Sequence, residues 1–112
     1  MVKIEAIVRP GVLEDIKDGL SKFGIHGLTV SQVMGCGLQK GRKEVYRGTE
    51  YSINLLPKVK IEIVLAAKDA DGVIEVIIKA ARTGEIGDGK IFITKIDNAV
   101  RIRTGEKGDA AL

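Results

Sequence analysis

The sequence has little of what builds an aromatic, cross-linked or membrane-spanning protein. Its 112 residues contain no tryptophan, one cysteine and two prolines, and aromatic side chains make up 4%. The core therefore has to be aliphatic, and the single cysteine, Cys36, cannot form an internal disulfide, which fits a reducing compartment. No apolar run approaches the roughly 20 residues of a membrane span, and the first ten residues are too charged for a signal peptide. We expect a cytoplasmic protein.

Strong charge of one sign is also absent. The net charge is +3, and the basic residues alternate with acidic ones along the chain. A general nucleic-acid binder would carry a concentrated basic surface, so we expect no direct contact with nucleic acid. Apolar residues at 45% and charged residues at 29% are ordinary for a globular chain. The length predicts a single domain, 1–112, with a modest core.

Hydrophobic periodicity predicts two similar halves. Alternation of apolar and polar residues indicates strands, and apolar spacings of three and four indicate helices. The second helical pattern is ambiguous because it is rich in valine and isoleucine, but its apolar face, a capping aspartate and Gly84 as terminator favour a helix. The strands are predicted near residues 2–8, 27–35, 58–66 and 90–96, and the helices near 13–23 and 69–84.

The resulting order, β-α-β followed by β-α-β, predicts an α+β fold. We expect a ferredoxin-like βαββαβ sandwich, in which a four-stranded antiparallel sheet carries both helices on one face. The other sheet face would expose Ile7, Val33 and Val64, which predicts self-association. Between the halves, residues 37–55 are polar and lack a sustained period. This segment is either a long functional loop or an extended hairpin.

Residues 84–90 contain the spacing G-x-x-x-x-G-K of a phosphate-binding loop, but Ile91 stands where that motif needs serine or threonine. A helix also precedes this loop instead of following it, so no helix N-terminus would face an anion. Cationic side chains would have to bind phosphates, and Lys90, Arg101 and Arg103 are candidates, the last two on one side of an extended segment. Gln39 could replace the missing magnesium ligand. The alternative is an ordinary turn in which Asp88 binds the loop backbone, with the two arginines on a solvated edge.

Three separate stretches resemble one family. They are YRGTEY (46–51), TGEIGDGKIFI (83–93) and VRIRTGEKG (100–108), and together they resemble the P-II nitrogen-regulatory signal proteins over essentially the whole chain. The resemblance implies a homotrimer that binds ATP or ADP in clefts between subunits, and 2-oxoglutarate together with Mg-ATP. In the family's terms, the chain has a T-loop at about 37–55, a B-loop at about 82–90 and a C-terminal loop at about 101–112.

The resemblance also implies site residues. Gln39 would ligate Mg²⁺ and, with Lys58 and Gly87, would bind 2-oxoglutarate. The residues implied for nucleotide binding are Ile7, Gly27, Thr29, Gly35, Cys36, Gly37, Val64, Gly87, Asp88, Gly89, Lys90, Arg101 and Arg103.

The function implied by the resemblance is regulatory, and we do not expect an enzyme. The T-loop would control an ammonium transporter, glutamine synthetase or a nitrogen transcription regulator, with membrane contact only through a transporter partner. GCGLQK (35–40) is similar to ammonium-transporter-linked members, and Leu38 replaces an arginine that is usual in the family. Tyr51 and Thr49 match positions that are modified in some members, although each could simply contact a partner. The alternative is a small ATP-hydrolysing or purely adenylate-sensing protein.

Overall fold

A computed structural model describes residues 1–36, 42–46, 49–53 and 55–112, with only the backbone described for 42–46 and 49–53. The elements, in chain order, are β1 (Val2–Val8), α1 (Leu13–Phe23), β2 (Thr29–Gly35), β3 (Arg42–Tyr46), β4 (Thr49–Ile53), β5 (Leu56–Leu65), α2 (Ala70–Ala81) and β6 (Lys90–Lys95).

The main sheet is antiparallel throughout and has the strand order β2-β5-β1-β6. In its centre Ile4 of β1 lies opposite Ile63 of β5 on one side and Ile93 of β6 on the other. The α+β prediction, with four antiparallel strands and two helices, is confirmed.

The core lies between one face of this sheet and the two helices. Alternate residues of β1 and β5 face it, because side chains along a strand point to opposite faces in turn. Ile16 and Leu20 of α1 and Val73 and Ile77 of α2 are buried against them. The strand residues of this core are Ile4, Ala6, Val8, Val59, Ile61, Ile63 and Leu65. The helices therefore cover a single face, as the periodicity predicts.

The two helices end differently. α1 ends at Gly24, which adopts a left-handed conformation (φ 103°) and whose N–H donates to the carbonyls of Leu20 and Ser21. α2 ends earlier than predicted, because Arg82 already has an extended backbone (φ −70°, ψ 126°). The prediction that Gly84 terminates α2 is wrong. Gly84 belongs to the following loop, where its positive φ of 89° serves a turn.

The polar segment after β2 contains a hairpin. β3 and β4 pair antiparallel in a separate two-stranded sheet, with Arg42 opposite Ile53 and Tyr46 opposite Thr49. Of the two predicted alternatives, the structure has the hairpin over these residues. Residues 37–41, 47, 48 and 54 lie outside the described residues.

The second face of the main sheet is not covered by the helices. Its centre is charged: Lys60 Nζ lies 3.9 Å from Glu5 Oε1 and 3.5 Å from Glu62 Oε1. Lys60 of β5 thus forms a cross-strand ion pair with Glu5 of β1. Glu5 lies directly opposite Glu62, so Lys60 offsets a repulsion between like charges. In the described part of the chain, neither helix is long and apolar enough to cross a membrane.

Candidate functional site

The loop between α2 and β6 lies against the end of β1. Gly87 and Gly89 have positive φ angles of 103° and 105°, a conformation that glycine adopts without steric cost. A Cβ on Gly89 would lie 1.8 Å from the carbonyl oxygen of Ile7. Only glycine therefore fits this position, and the loop backbone is held in contact with β1.

Asp88 closes the loop from within. Its Oδ2 accepts hydrogen bonds from the N–H groups of Thr83 and Gly84, each at 2.9 Å, and its Oδ1 accepts from the Thr83 hydroxyl. These bonds, together with one from Arg9, hold the pKa of the Asp88 carboxyl well below its usual range, the Thr83 hydroxyl contributing most. Asp88 thus binds the loop backbone, as the ordinary-turn alternative expects, and phosphate binding by the loop stays a prediction.

Arg9 is a site residue that the sequence reasoning missed. Its guanidinium pairs with the Asp88 carboxylate through Nη1 and donates to the Ile86 carbonyl oxygen through Nη2 at 2.8 Å. No sequence motif marks Arg9, and its position follows from the register of the sheet: in the antiparallel pair of β1 and β6, Ile7 lies opposite Lys90. The residue two places beyond Ile7 must then lie beside the loop that precedes Lys90.

Lys58 of β5 contacts the same loop. Its Nζ donates to the Gly87 carbonyl oxygen at 3.0 Å, joining residues that are 29 positions apart. Burial lowers the pKa of Lys58, and the nearby positive charge of Arg9 lowers it further. The cations Arg9, Lys58 and Lys90 thus border the loop, which itself contains the carboxylates of Glu85 and Asp88. This charge distribution suits an anion.

The remaining predicted residues of the sheet form two groups. Ile7, Gly35 and Cys36 lie at the end of the sheet that carries the glycine loop, since Gly35 pairs with Leu56 and Ile7 with Lys90. Thr29 pairs with Glu62, so Gly27, Thr29 and Val64 lie at the opposite end. Six residue steps along β2 separate Thr29 from Gly35, about 20 Å. One chain does not bring the two groups together.

The C-terminal arginines are arranged differently from the prediction. Residues Ile102–Thr104 form a turn, closed by a bond from the Gly105 N–H to the Arg101 carbonyl at 2.7 Å. The prediction that Arg101 and Arg103 project from one side of an extended segment is wrong. Arg101 instead binds the Glu106 carboxylate at 3.0 Å and the Leu112 carbonyl at 3.1 Å, whereas the Arg103 side chain is exposed.

Several predictions concern residues that the structure does not describe. Gly37 and Gln39 lie outside the described residues, so the predicted magnesium and 2-oxoglutarate roles of Gln39 stay predictions. Tyr51 and Thr49 lie in β4, where only the backbone is described. In the part of the chain that the structure describes, no group of three or more His, Cys, Asp or Glu residues is placed to hold a metal ion.

A groove of about 400 Å³ opens on the helix side of the loop, between α2 and β6. Its wall is mostly aliphatic and includes Ile74, Ile78, Ile91 and Ile93, with Arg82 and Lys90 among its polar residues. Asp88 and Gly89 also line this groove. The loop therefore borders the groove as well as the surface formed with Arg9 and Lys58. The sequence reasoning did not predict this groove.

An antiparallel sheet with two helices on one face and a cation-bordered glycine loop at one end defines a class: a small α+β protein with a candidate anion-binding loop. The chain belongs to the nitrogen regulatory protein P-II family, whose sequence model matches residues 1–106.

Three relatives illustrate the similarity. Nitrogen regulatory protein GlnK of Escherichia coli strain K12 is 53% identical over 112 residues, which is the full length of both chains. Nitrogen regulatory protein P-II of Rhizobium meliloti is 53% identical over 108 residues, 96% of each chain. Nitrogen regulatory protein P-II 2 of Methanothermobacter thermautotrophicus is 55% identical over 112 residues, all of this chain and 97% of the relative. These are names of regulatory proteins and not of enzymes, in agreement with the prediction.

Proposed function

We propose that this P-II family member is a cytoplasmic sensor of energy and nitrogen status. It binds ATP or ADP, and 2-oxoglutarate with Mg²⁺, at clefts between the subunits of a homotrimer. Occupancy of these clefts changes residues 37–55, which control an ammonium transporter, glutamine synthetase or a nitrogen transcription regulator. The regulatory names of the relatives support the general role, and the geometry of the glycine loop supports the ligand chemistry.

The observation that carries the proposal is the contact between Lys58 and Gly87. Lys58 is the residue proposed to bind a 2-oxoglutarate carboxylate, and Gly87 belongs to the loop proposed to bind phosphates. Their direct hydrogen bond of 3.0 Å brings the Lys58 ammonium beside Gly87. A dicarboxylate that binds Lys58 therefore has to contact the same loop as a triphosphate, which accounts for binding of the two ligands together.

The two separated groups of residues support sites shared between copies. Gly27, Thr29 and Val64 lie at one end of the sheet and the glycine loop at the other. We infer that the two groups come from different subunits where they contact one nucleotide. Arg101 and Arg103 lie in the C-terminal turn, beyond β6, and we propose that they reach the phosphates of the adjacent subunit's nucleotide.

Magnesium would supply charge neutralisation between the phosphates and the keto acid. This chain would offer a nucleotide-bound Mg²⁺ the amide oxygen of Gln39 as a ligand, because a hard cation prefers oxygen. Ile91 lacks a hydroxyl, and it lies partly buried against the core, so it offers no ligand. Gln39 would thereby join ligand binding to the first residues of the segment 37–55.

Calorimetric titration of 2-oxoglutarate, with and without Mg-ATP, tests the proposal. We expect binding only when Mg-ATP is present, and loss of binding in Gln39→Ala with ATP affinity largely retained. Hydrogen exchange across residues 37–55 should slow when both ligands are added, because ordering of the segment is then offset by ligand contacts. Nucleotide binding without a 2-oxoglutarate response would favour the purely adenylate-sensing alternative. Turnover of ATP that depends on Lys90 would favour an ATPase.

A further inference from the structure

The peptide group between Ile86 and Gly87 is held in one orientation. Arg9 Nη2 donates to the Ile86 carbonyl oxygen at 2.8 Å. Because a trans peptide is planar, its carbonyl and the following N–H point in opposite directions. The Gly87 N–H therefore points away from Arg9, and it donates no hydrogen bond to the backbone of the described residues.

Arg9 reaches this peptide from a fixed position. It directly follows Val8, the buried last residue of β1, and it precedes Pro10, which disfavours a helical backbone at Arg9. Its backbone is accordingly extended, with φ −63° and ψ 144°. A rigid fork on a fixed backbone can bind two points at once, here the Asp88 carboxylate and the Ile86 carbonyl.

The next peptide is bound in a similar way by Lys58, whose Nζ donates to the Gly87 carbonyl oxygen at 3.0 Å. Two successive carbonyls of the loop are thus bound by two cations. The Asp88 N–H donates to the Glu85 carbonyl oxygen at 3.4 Å, so the Gly87 N–H is the amide of these two peptides that is left to face a ligand. Oriented backbone N–H groups of this kind bind anions. Without the bond from Arg9, the flexible Gly87 would allow its peptide to rotate and to present a carbonyl instead.

We propose that Arg9 is a positioning residue that orients the Gly87 N–H toward the phosphate or carboxylate of a bound ligand. It acts through Asp88 and the Ile86 carbonyl and not by touching the ligand. This role rests on the proposed function for its ligand, but the orientation itself is a property of the ligand-free loop.

Arg9→Lys tests the role, because lysine keeps the positive charge but lacks the planar fork. We expect Mg-ATP to bind about tenfold more weakly, the loss that corresponds to one charged hydrogen bond. The amide resonance of Gly87 should shift in the ligand-free variant. Arg82→Lys is the matched control: it makes the same exchange at an exposed arginine where the same loop begins, and it should change neither measurement.

A double-mutant cycle with Asp88→Asn separates positioning from direct contact. If Arg9 acts through Asp88, Arg9→Lys costs much less ATP affinity in the Asp88→Asn background than in the native one. Equal losses in both backgrounds would overturn the proposal, and so would weaker ATP binding with an unmoved Gly87 resonance. Should the native protein bind no nucleotide, the proposed function fails, while the Gly87 resonance still decides whether Arg9 orients this peptide.

Discussion

At the scale of the residue, Asp88 is a carboxylate in contact with one of the cations that border the glycine loop, Arg9. A negative charge inside a candidate anion site needs a structural reason. The hydrogen bonds that the Asp88 carboxylate accepts provide that reason. They tie Thr83 and Gly84 at the start of the loop to Arg9 at the end of β1. Asp88 neutralises Arg9 while it shapes the backbone of the loop.

Asp88→Asn is expected to lower the melting temperature at neutral pH, since an amide cannot accept all the bonds that the carboxylate accepts. The folded-state pKa of Asp88 is depressed, so its stabilisation is complete above the unfolded pKa and declines as pH falls through the folded pKa. The difference in melting temperature between native and variant proteins should be constant from pH 5 to 8 and narrow below about pH 4. Thermal unfolding across pH checks this, and a constant difference down to about pH 2 would contradict it.

At the scale of the element, periodicity was enough to predict the strands and helices of the main fold. β1 and β5 alternate apolar and polar residues, and α1 has one apolar face. In each element the apolar side chains are stable only when their face is buried. The end of α2 was harder to predict, because Arg82 leaves the helix through tertiary contacts of the loop and not through a helix-ending glycine. The turn at Ile102–Thr104 was missed for a similar reason, since Arg101 binds Glu106 and Leu112 instead of extending.

The site itself was predictable only in part. Gly87, Asp88, Gly89 and Lys90 have a recognisable spacing, whereas Arg9 is 77 positions away from Ile86 and carries no motif. Its role depends on the register of β1 against β6, which periodicity alone does not fix. The prediction of Lys58 as a site residue rested on the family resemblance and not on the neighbouring sequence. In the structure Lys58 lies beside Gly87.

The packing of α1 against α2 gives an element-scale prediction. A Cβ on Gly19 would lie 2.7 Å from Cγ1 of Val76, and one on Gly72 would lie 2.5 Å from Cζ of Phe23. Val76 is stiff and partly buried, but Phe23 is 42% exposed and its ring can swing outward. Gly19→Ala should lower the free energy of unfolding by about 1 kcal/mol after the gain in helix propensity.

Gly72→Ala is the matched control for that substitution. It adds the same methyl group to the partner helix and gains the same propensity of about 1 kcal/mol, but its obstacle is the movable end of a ring. Denaturant unfolding should therefore show little loss or a small gain. Equal losses in the two variants would mean that the close approach of the helices, and not the stiffness of Val76, determines the cost.

At the scale of the whole molecule, the uncovered sheet face and the two separated groups of site residues have one common explanation. The face combines apolar residues, Ile7, Val33, Val64 and the 48% exposed Phe92, with the charge cluster of Glu5, Lys60 and Glu62. Packing of this face between copies would bury the apolar residues. It would also let the two ends of neighbouring sheets complete one site.

Phe92→Lys tests this assembly. Phe92 lies opposite Glu5 on the uncovered face, so a lysine there gains a partner within the subunit, whereas burying its charge between copies would be costly. We expect light scattering to give three times the chain mass of 12.0 kDa for the native protein and a smaller mass for the variant. Ile93→Lys is the control, because the adjacent side chain points to the helix face, and it should keep the native mass. A trimer that survives Phe92→Lys would place the contacts between subunits elsewhere on the molecule.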